Sequence, residues 1–357
     1  MSSERVDTRN RSVDQPLFLV GSERSGTTLL RLMLDHHPEV AFEKEFDFVV
    51  TEVSDSGGFP PLDEYLEWIG TVRGADYAID RSLEYGELVN DFLRQKQAAS
   101  GGKPEVGATV HRNFDRLRFL WPNARYIHLV RDPRDVARSV VQKGWAGNVY
   151  QAAEYWIQAE SCWDSLVAHL TSDQAVEVRY EDLVTRTEEV LTEICRFAGV
   201  DYSEKMLAYG ADAPQYPPPV AALATQWKTK LSPRDVAMVE VRTSRLMRSR
   251  GYAPSGYPLP KVGRLKHALV LTMGRVRRLR TRLEIFGPGL VVSDVVGRRL
   301  GVRRLAQHAR MGIKAVEQGL IDQETAGQRA PSTNIALARR QAGASDPERG
   351  AASGSVN

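Results

Sequence analysis

Cysteine is almost absent from this sequence. Cys162 and Cys195 are the only two, and both lie in helical-looking segments. They are too few and too isolated for a disulfide framework or a zinc site, so core thiols are expected. No apolar run is long enough to cross a bilayer, and the opening MSSERVDTRNRSVDQ is polar, with no hydrophobic signal core. A soluble, cytoplasmic protein is therefore expected. Internal repeats are missing as well. No recognition motif accompanies the arginines, so nucleic acid is not an expected partner. The chain also has little net charge, +3, but its basic residues are unevenly spread. From Lys261 to Arg310 about a dozen Lys and Arg face only Glu284 and Asp294, a bias that favours an anionic surface as partner.

The 357 residues, 42% apolar, can bury a large core. Residues 1–14 read as a disordered lead. Short buried-type strands are expected at Leu17–Val20, Tyr126–Val130 and Val176–Tyr180, with helices at Thr28–Asp35, near Pro133, over 151–169 and at Glu188–Ala198. This alternation argues for an α/β fold, three layers α/β/α around a central parallel sheet. It occupies residues 15–258. Within it, 43–107 mixes turn chemistry with helical patterns around Leu62–Val72 and Leu83–Gln97 and reads as a helical lid or acceptor-binding region. Residues 259–322 form a basic helical extension, and 323–357 a disordered tail.

The stretch GSERSGTT, Gly21 to Thr28, lies between the first strand and first helix. It nearly spells the phosphate-binding loop G-x-x-x-x-G-K-[ST], but Thr27 stands where the lysine belongs. Backbone N–H groups of such a turn, aimed with a helix N-terminus at one point, bind an anion without that lysine. Losing it argues against a nucleoside triphosphate, and a strand ending in the acidic residue a magnesium site needs is hard to find, because the best strands end in Val130-Arg131 and Arg179-Tyr180. Arg24 can supply charge, and Thr27 and Thr28 hydroxyl donors. A solvated helix-capping turn is the plainer reading of the loop alone. In YIHLVRDPRDVARS, Tyr126 to Ser139, a strand runs into Arg131, at the carboxyl end where open α/β sheets bind ligands, and Ser139 follows on the helix. Two anion sites at strand ends would suit a nucleotide phosphorylated at both 5′ and 3′ positions. The alternative is a surface charge cluster, Arg131 to Asp135.

GSERSGTTLLRLMLDHHPEV and NARYIHLVRDPRDVARSVV together resemble the two signature segments of sulfotransferases that use 3′-phosphoadenosine 5′-phosphosulfate (PAPS), and RYEDLV at Arg179–Val184 resembles a third. The likeness covers about Leu17 to Tyr252 and is nearer the bacterial and protein-tyrosine types. It implies a P-loop-like fold and sulfuryl transfer from PAPS by in-line displacement, with no metal. Arg24, Ser25, Gly26, Thr27 and Thr28 would hold the 5′-phosphosulfate, Arg131 and Ser139 the 3′-phosphate. Tyr180 would flank adenine; Trp227 would stack and Lys228 or Lys230 close over a phosphate.

A general base must take the acceptor's proton. Glu43 and Glu45 follow the first helix in a strand-like segment whose alternation would put both on one face. The resemblance points to Glu45 first and Glu43 second, while His111 is a rival on titration grounds. Relatives often carry a lysine before the second motif; here Gly107-Ala108-Thr109 has none, leaving His111, Arg112 and Lys103 as local cations. The acceptor is expected to bear a hydroxyl or amine: a glycan, a lipid-linked glycan, a phenol or a peptide. A small-molecule kinase would share the fold but should keep the loop lysine. A non-catalytic nucleotide-binding module would need no base near Glu45. In the extension, Leu265, Leu269, Leu271, Met273, Val276 and Leu279 alternate with arginines. Such a helix either packs on the catalytic domain or lies on an anionic membrane, through 261–310.

Overall fold

Short, nearly unbroken apolar runs are what a parallel sheet covered on both faces demands, and five strands form in the computed structural model. It describes residues 11–72 and 77–300, apart from 212, 214, 215 and 217, with a few positions between 302 and 316. The strands are β1 (Leu17–Val20), β2 (Val40–Glu45), β3 (Glu105–Val110), β4 (Arg125–Val130) and β5 (Ala175–Arg179). Their order is β2-β3-β1-β4-β5, with every pairing parallel. The helices are α1 (Arg11–Asp14), α2 (Thr27–Asp35), α3 (Leu62–Val72), α4 (Tyr85–Ala99), α5 (Leu117–Leu120), α6 (Pro133–Gln142), α7 (Val149–Val167), α8 (Tyr180–Thr185), α9 (Thr187–Ala198), α10 (Trp227–Lys230), α11 (Pro233–Ser249) and α12 (Arg264–Arg299). The three strands expected at β1, β4 and β5 are present.

Alternate strand residues feed two cores. Phe18, Val20, Ala108 and Tyr126 pack with Tyr65, Leu88 and Phe92 of α3 and α4 on one face. Leu17, Leu19, Ile127 and Leu129 pack with Leu30, Met33, Leu191 and Ile194 of α2 and α9 on the other. This is the three-layer α/β/α arrangement. The segment read as a lid thus contributes β2, β3 and two core helices. Residues 11–14, expected in the disordered lead, are helical; the rest of that lead and the 323–357 tail lie outside the described residues.

β1 sits at the switch in strand order, with β3 on one side and β4 on the other. A crevice opens at such a point beyond the carboxyl ends, which brings the loop after β1 beside Arg131 after β4. The chain divides into two compact units between Gly274 and Arg275. In the first, α12 lies along α7: Asn148 Nδ2 donates to the Val270 carbonyl at 2.9 Å and the Tyr150 hydroxyl meets His267 Nδ1 at 2.7 Å. In the second, α12 is broken at Gly287 (φ 80°) before Pro288, and Arg282 pairs with the buried Asp294 at 2.9 Å.

One buried titratable group sits in the sheet. His128 on β4 is fully buried, stacked on Trp163 at 4.2 Å, with Glu177 at 3.2 Å and Glu160 at 3.4 Å. Burial opposes its charge, but the two carboxylates outweigh it and raise its pKa above the ordinary 6.5. A raised folded pKa stabilises the fold in full below about pH 6.5, and that contribution is lost as pH rises through the folded value. Thermal melts should therefore fall between pH 6 and pH 9, and His128→Asn should flatten that slope. An unchanged slope in the variant would dismiss this source.

Candidate active site

The loop after β1 turns sharply because Arg24 (φ 70°) and Gly26 (φ 98°) are left-handed. Gly26 is the residue preceding α2, and a Cβ there would fall 2.3 Å from the Tyr180 ring. Only glycine combines this φ with so close a ring. The first-turn amides of α2 consequently point at one spot together with the loop, an anion site by geometry. Ser25 is 1% exposed and its Oγ has no protein partner. A buried hydroxyl left without a partner beside such a cradle fits an oxyanion ligand.

The second motif meets this loop. Arg24 Nε donates to Ser139 Oγ at 3.0 Å, across 115 residues, and Arg131 Nη1 donates to the Arg24 carbonyl at 3.2 Å. The two expected anion grips therefore adjoin. Arg131 is 8% exposed, its guanidinium lies 4.0 Å above the Tyr180 ring, and its Nε has no hydrogen-bond partner. Trp156 Nε1 donates to its carbonyl at 2.9 Å and fixes its backbone. Tyr180, the first residue of α8, is thus wedged between Gly26 and Arg131. The adjoining Glu181 accepts from the Asp132 amide at 3.1 Å and the Tyr252 hydroxyl at 2.8 Å, which ties the ends of β4 and β5 together.

The Arg131–Asp135 run is not a surface charge cluster. Asp132, Arg134 and Asp135 are buried. Arg134 pairs with Asp132 at 2.6 Å and with Glu240 of α11 at 2.7 Å, and lies 3.7 Å over the Trp227 ring. Asp132 caps α6, with Pro133 as its first residue. Asp135 has Arg138 at 3.5 Å; burial pushes its carboxyl up to about 6, against the pull of Arg131.

The late segment closes over Arg131, whose Nη2 donates to the Leu223 carbonyl at 3.2 Å. Trp227 is 8% exposed and one face is committed to Arg134. Lys228 is exposed, its Nζ 5.9 Å from that indole.

On the other side of the loop, Glu45 is exposed at the end of β2. A register shift between Glu43 and Glu45 breaks the alternation that would have put both on one face, and Glu43 Oε1 accepts from the Lys44 amide at 2.8 Å. The chain after Glu45 is anchored to β3: Asp47 Oδ1 accepts the amides of His111 and Arg112, both at 2.8 Å. His111 is buried, and its Nδ1 donates to the Gly21 carbonyl at 3.0 Å, leaving Nε2 as acceptor in the neutral ring. Arg112 pairs with Glu23 at 2.7 Å and lies 5.6 Å over Tyr155. Lys103 is misplaced as a site cation. It precedes β3 and donates to the Asp35 and Val40 carbonyls at 2.7 and 3.0 Å, at the amino end of the sheet.

Two residues of this region were not among those expected from the sequence. Arg138 bonds Gln226, and Trp145 faces Arg24 at 5.9 Å. Arg138 lies inside the second motif, beside Ser139, which could have marked it; Trp145 had no marker.

A family model described as "Sulfotransferase family" matches residues 16–204. A protein-tyrosine sulfotransferase of Drosophila melanogaster is 27% identical over 223 residues, 57% of this chain and 42% of that protein. An uncharacterized protein of Aquifex aeolicus is 27% identical over 222 residues, 58% of this chain and 28% of its own. The chain thus spans less than half the length of these two curated relatives. The sulfotransferase domain of the Synechococcus PCC 7002 olefin synthase superposes with a TM-score of 0.50 at 24% identity, over 67% of this chain and 95% of that one. It shares the fold.

Proposed function

The chain belongs to the sulfotransferase family, and on that footing we propose that it moves a sulfuryl group from PAPS to a hydroxyl or amine acceptor by in-line displacement. What supports this most is one contact set: the Arg24–Ser139 and Arg131–Arg24 hydrogen bonds, which join the lysine-free loop to the second motif. A ligand anionic at both ends of an adenosine needs two neighbouring grips of this kind.

PAPS supplies an activated sulfuryl group on a phosphate leaving group. Loop amides, the Ser25 hydroxyl, Gly26, Thr27 and Thr28 hold its 5′ end with Arg24. Arg131 and Ser139 hold the 3′-phosphate, Tyr180 borders the base, and Trp227 with Lys228 closes the pocket. Glu45 accepts the acceptor's proton as that oxygen or nitrogen bonds to sulfur, with Glu43 the second candidate and His111 the rival base. Arg24 and the loop amides take up the charge left on the phosphate as its bond to sulfur breaks. A transferring sulfuryl group carries less negative charge than a γ-phosphoryl, so the loop lysine is dispensable. The acceptor is drawn from glycans, lipid-linked glycans, phenols and peptides; protein-tyrosine sulfotransferases among the relatives give the peptide phenol a place in the panel.

The test incubates the full chain with labelled PAPS and that acceptor panel, in excess chelator or in magnesium. Label should move to an acceptor at equal rates in both. Magnesium-dependent phosphoryl transfer from ATP, with none from PAPS, would install the kinase reading instead.

A further inference from the structure

We propose that the outward face of α12 at residues 264–274 docks on an anionic lipid bilayer. The inference is independent of the transfer reaction. At 100° per residue, His267, Val270 and Gly274 share one face of this helix, and that is the face against α7, where His267 and Val270 make their hydrogen bonds and Gly274 is buried. A Cβ on Gly274 would meet Gln151 Oε1 at 2.6 Å. On the same wheel the opposite face carries Leu265, Leu269 and Met273. These three are 89%, 59% and 46% exposed. The helix of the sequence reading therefore packs on the catalytic unit with one face and leaves its apolar stripe in water.

Charge identifies the occupant. Lys266 borders the stripe on one side and Arg264 on the other, and both are exposed. An apolar stripe between basic residues lies in the boundary of acyl chains and headgroups while its cations meet anionic lipids. A second copy of the chain would instead bring like charges together, which disfavours self-association through this face. Among the described residues no helix is long and apolar enough to cross a membrane, so the contact is peripheral.

The experiment is sedimentation of the full chain with vesicles of phosphatidylcholine alone or with about three parts in ten phosphatidylglycerol, at low and high salt. Expected is a preference of roughly tenfold or more for the anionic vesicles at low salt, fading at high salt. Leu269→Glu with Met273→Glu, and separately Arg264→Glu with Lys266→Glu, should each cut that binding by roughly tenfold or more. Circular dichroism confirms that the variants are folded. Absence of an anionic preference, or undiminished binding by the Leu269/Met273 variant, overturns the proposal. So does a dimer in light scattering that the same substitutions split while vesicles bind neither form.

Discussion

Glu45→Gln is expected to lower turnover roughly a hundredfold or more, with the affinity for 3′-phosphoadenosine 5′-phosphate (PAP) unchanged within about twofold. Glutamine keeps the size of the side chain but cannot take the acceptor's proton. Glu45 lies at the carboxyl end of β2, and the amide that follows it, Phe46 N–H, donates to Thr109 at 2.8 Å. Its position is therefore set by the sheet. The measurement is single-turnover sulfuryl transfer beside calorimetric titration of PAP. Near-normal turnover would remove Glu45 from the role and turn attention to Glu43 and His111. Of these, Glu43 is already turned back on its own backbone, whereas His111 keeps Nε2 as a proton acceptor.

Arg131→Ala should weaken PAP binding by about 1.5–3 kcal/mol, roughly ten- to 150-fold. The control is AMP, which has no 3′-phosphate. If Arg131 grips that phosphate, AMP affinity changes little in the variant and the wild-type preference for PAP over AMP collapses. If Arg131 only props the loop through the Arg24 carbonyl and the late segment through Leu223, both nucleotides lose affinity alike. Equal losses would reject the 3′-phosphate assignment while leaving the fold argument intact. Arg131→Lys should fall between, since an ammonium keeps charge but not the planar fork that reaches two carbonyls.

The part of the fold legible in the sequence was the part with uniform chemistry. β1 is wholly apolar, β4 between Arg125 and Val130 is interrupted only by His128, and β5 borders a clear helix, so the pattern marked them. β2 and β3 were harder. Glu43-Lys44-Glu45 ends β2 in charges and a bulge, and Gly107 sits inside β3. That glycine is explained only by three dimensions: a Cβ would stand 2.2 Å from the Leu17 carbonyl and 2.5 Å from the Phe42 ring. The loop and Arg131 were readable because their spacing is fixed by strand ends. The interior character of Arg131–Asp135 was not, because its compensating carboxylate is Glu240, more than a hundred residues away on α11. A buried ion pair reads as surface charge until its partner is seen. Lys103 erred the other way: near in sequence to His111, it lies at the opposite end of a six-residue strand.

Tyr180 has a mechanical consequence. Its ring is the shared wall between the glycine of one grip and the guanidinium of the other. A single methyl group added at position 26 would press on that wall and transmit the push straight to Arg131. A change in the loop at Gly26 is thereby felt at the start of the second motif.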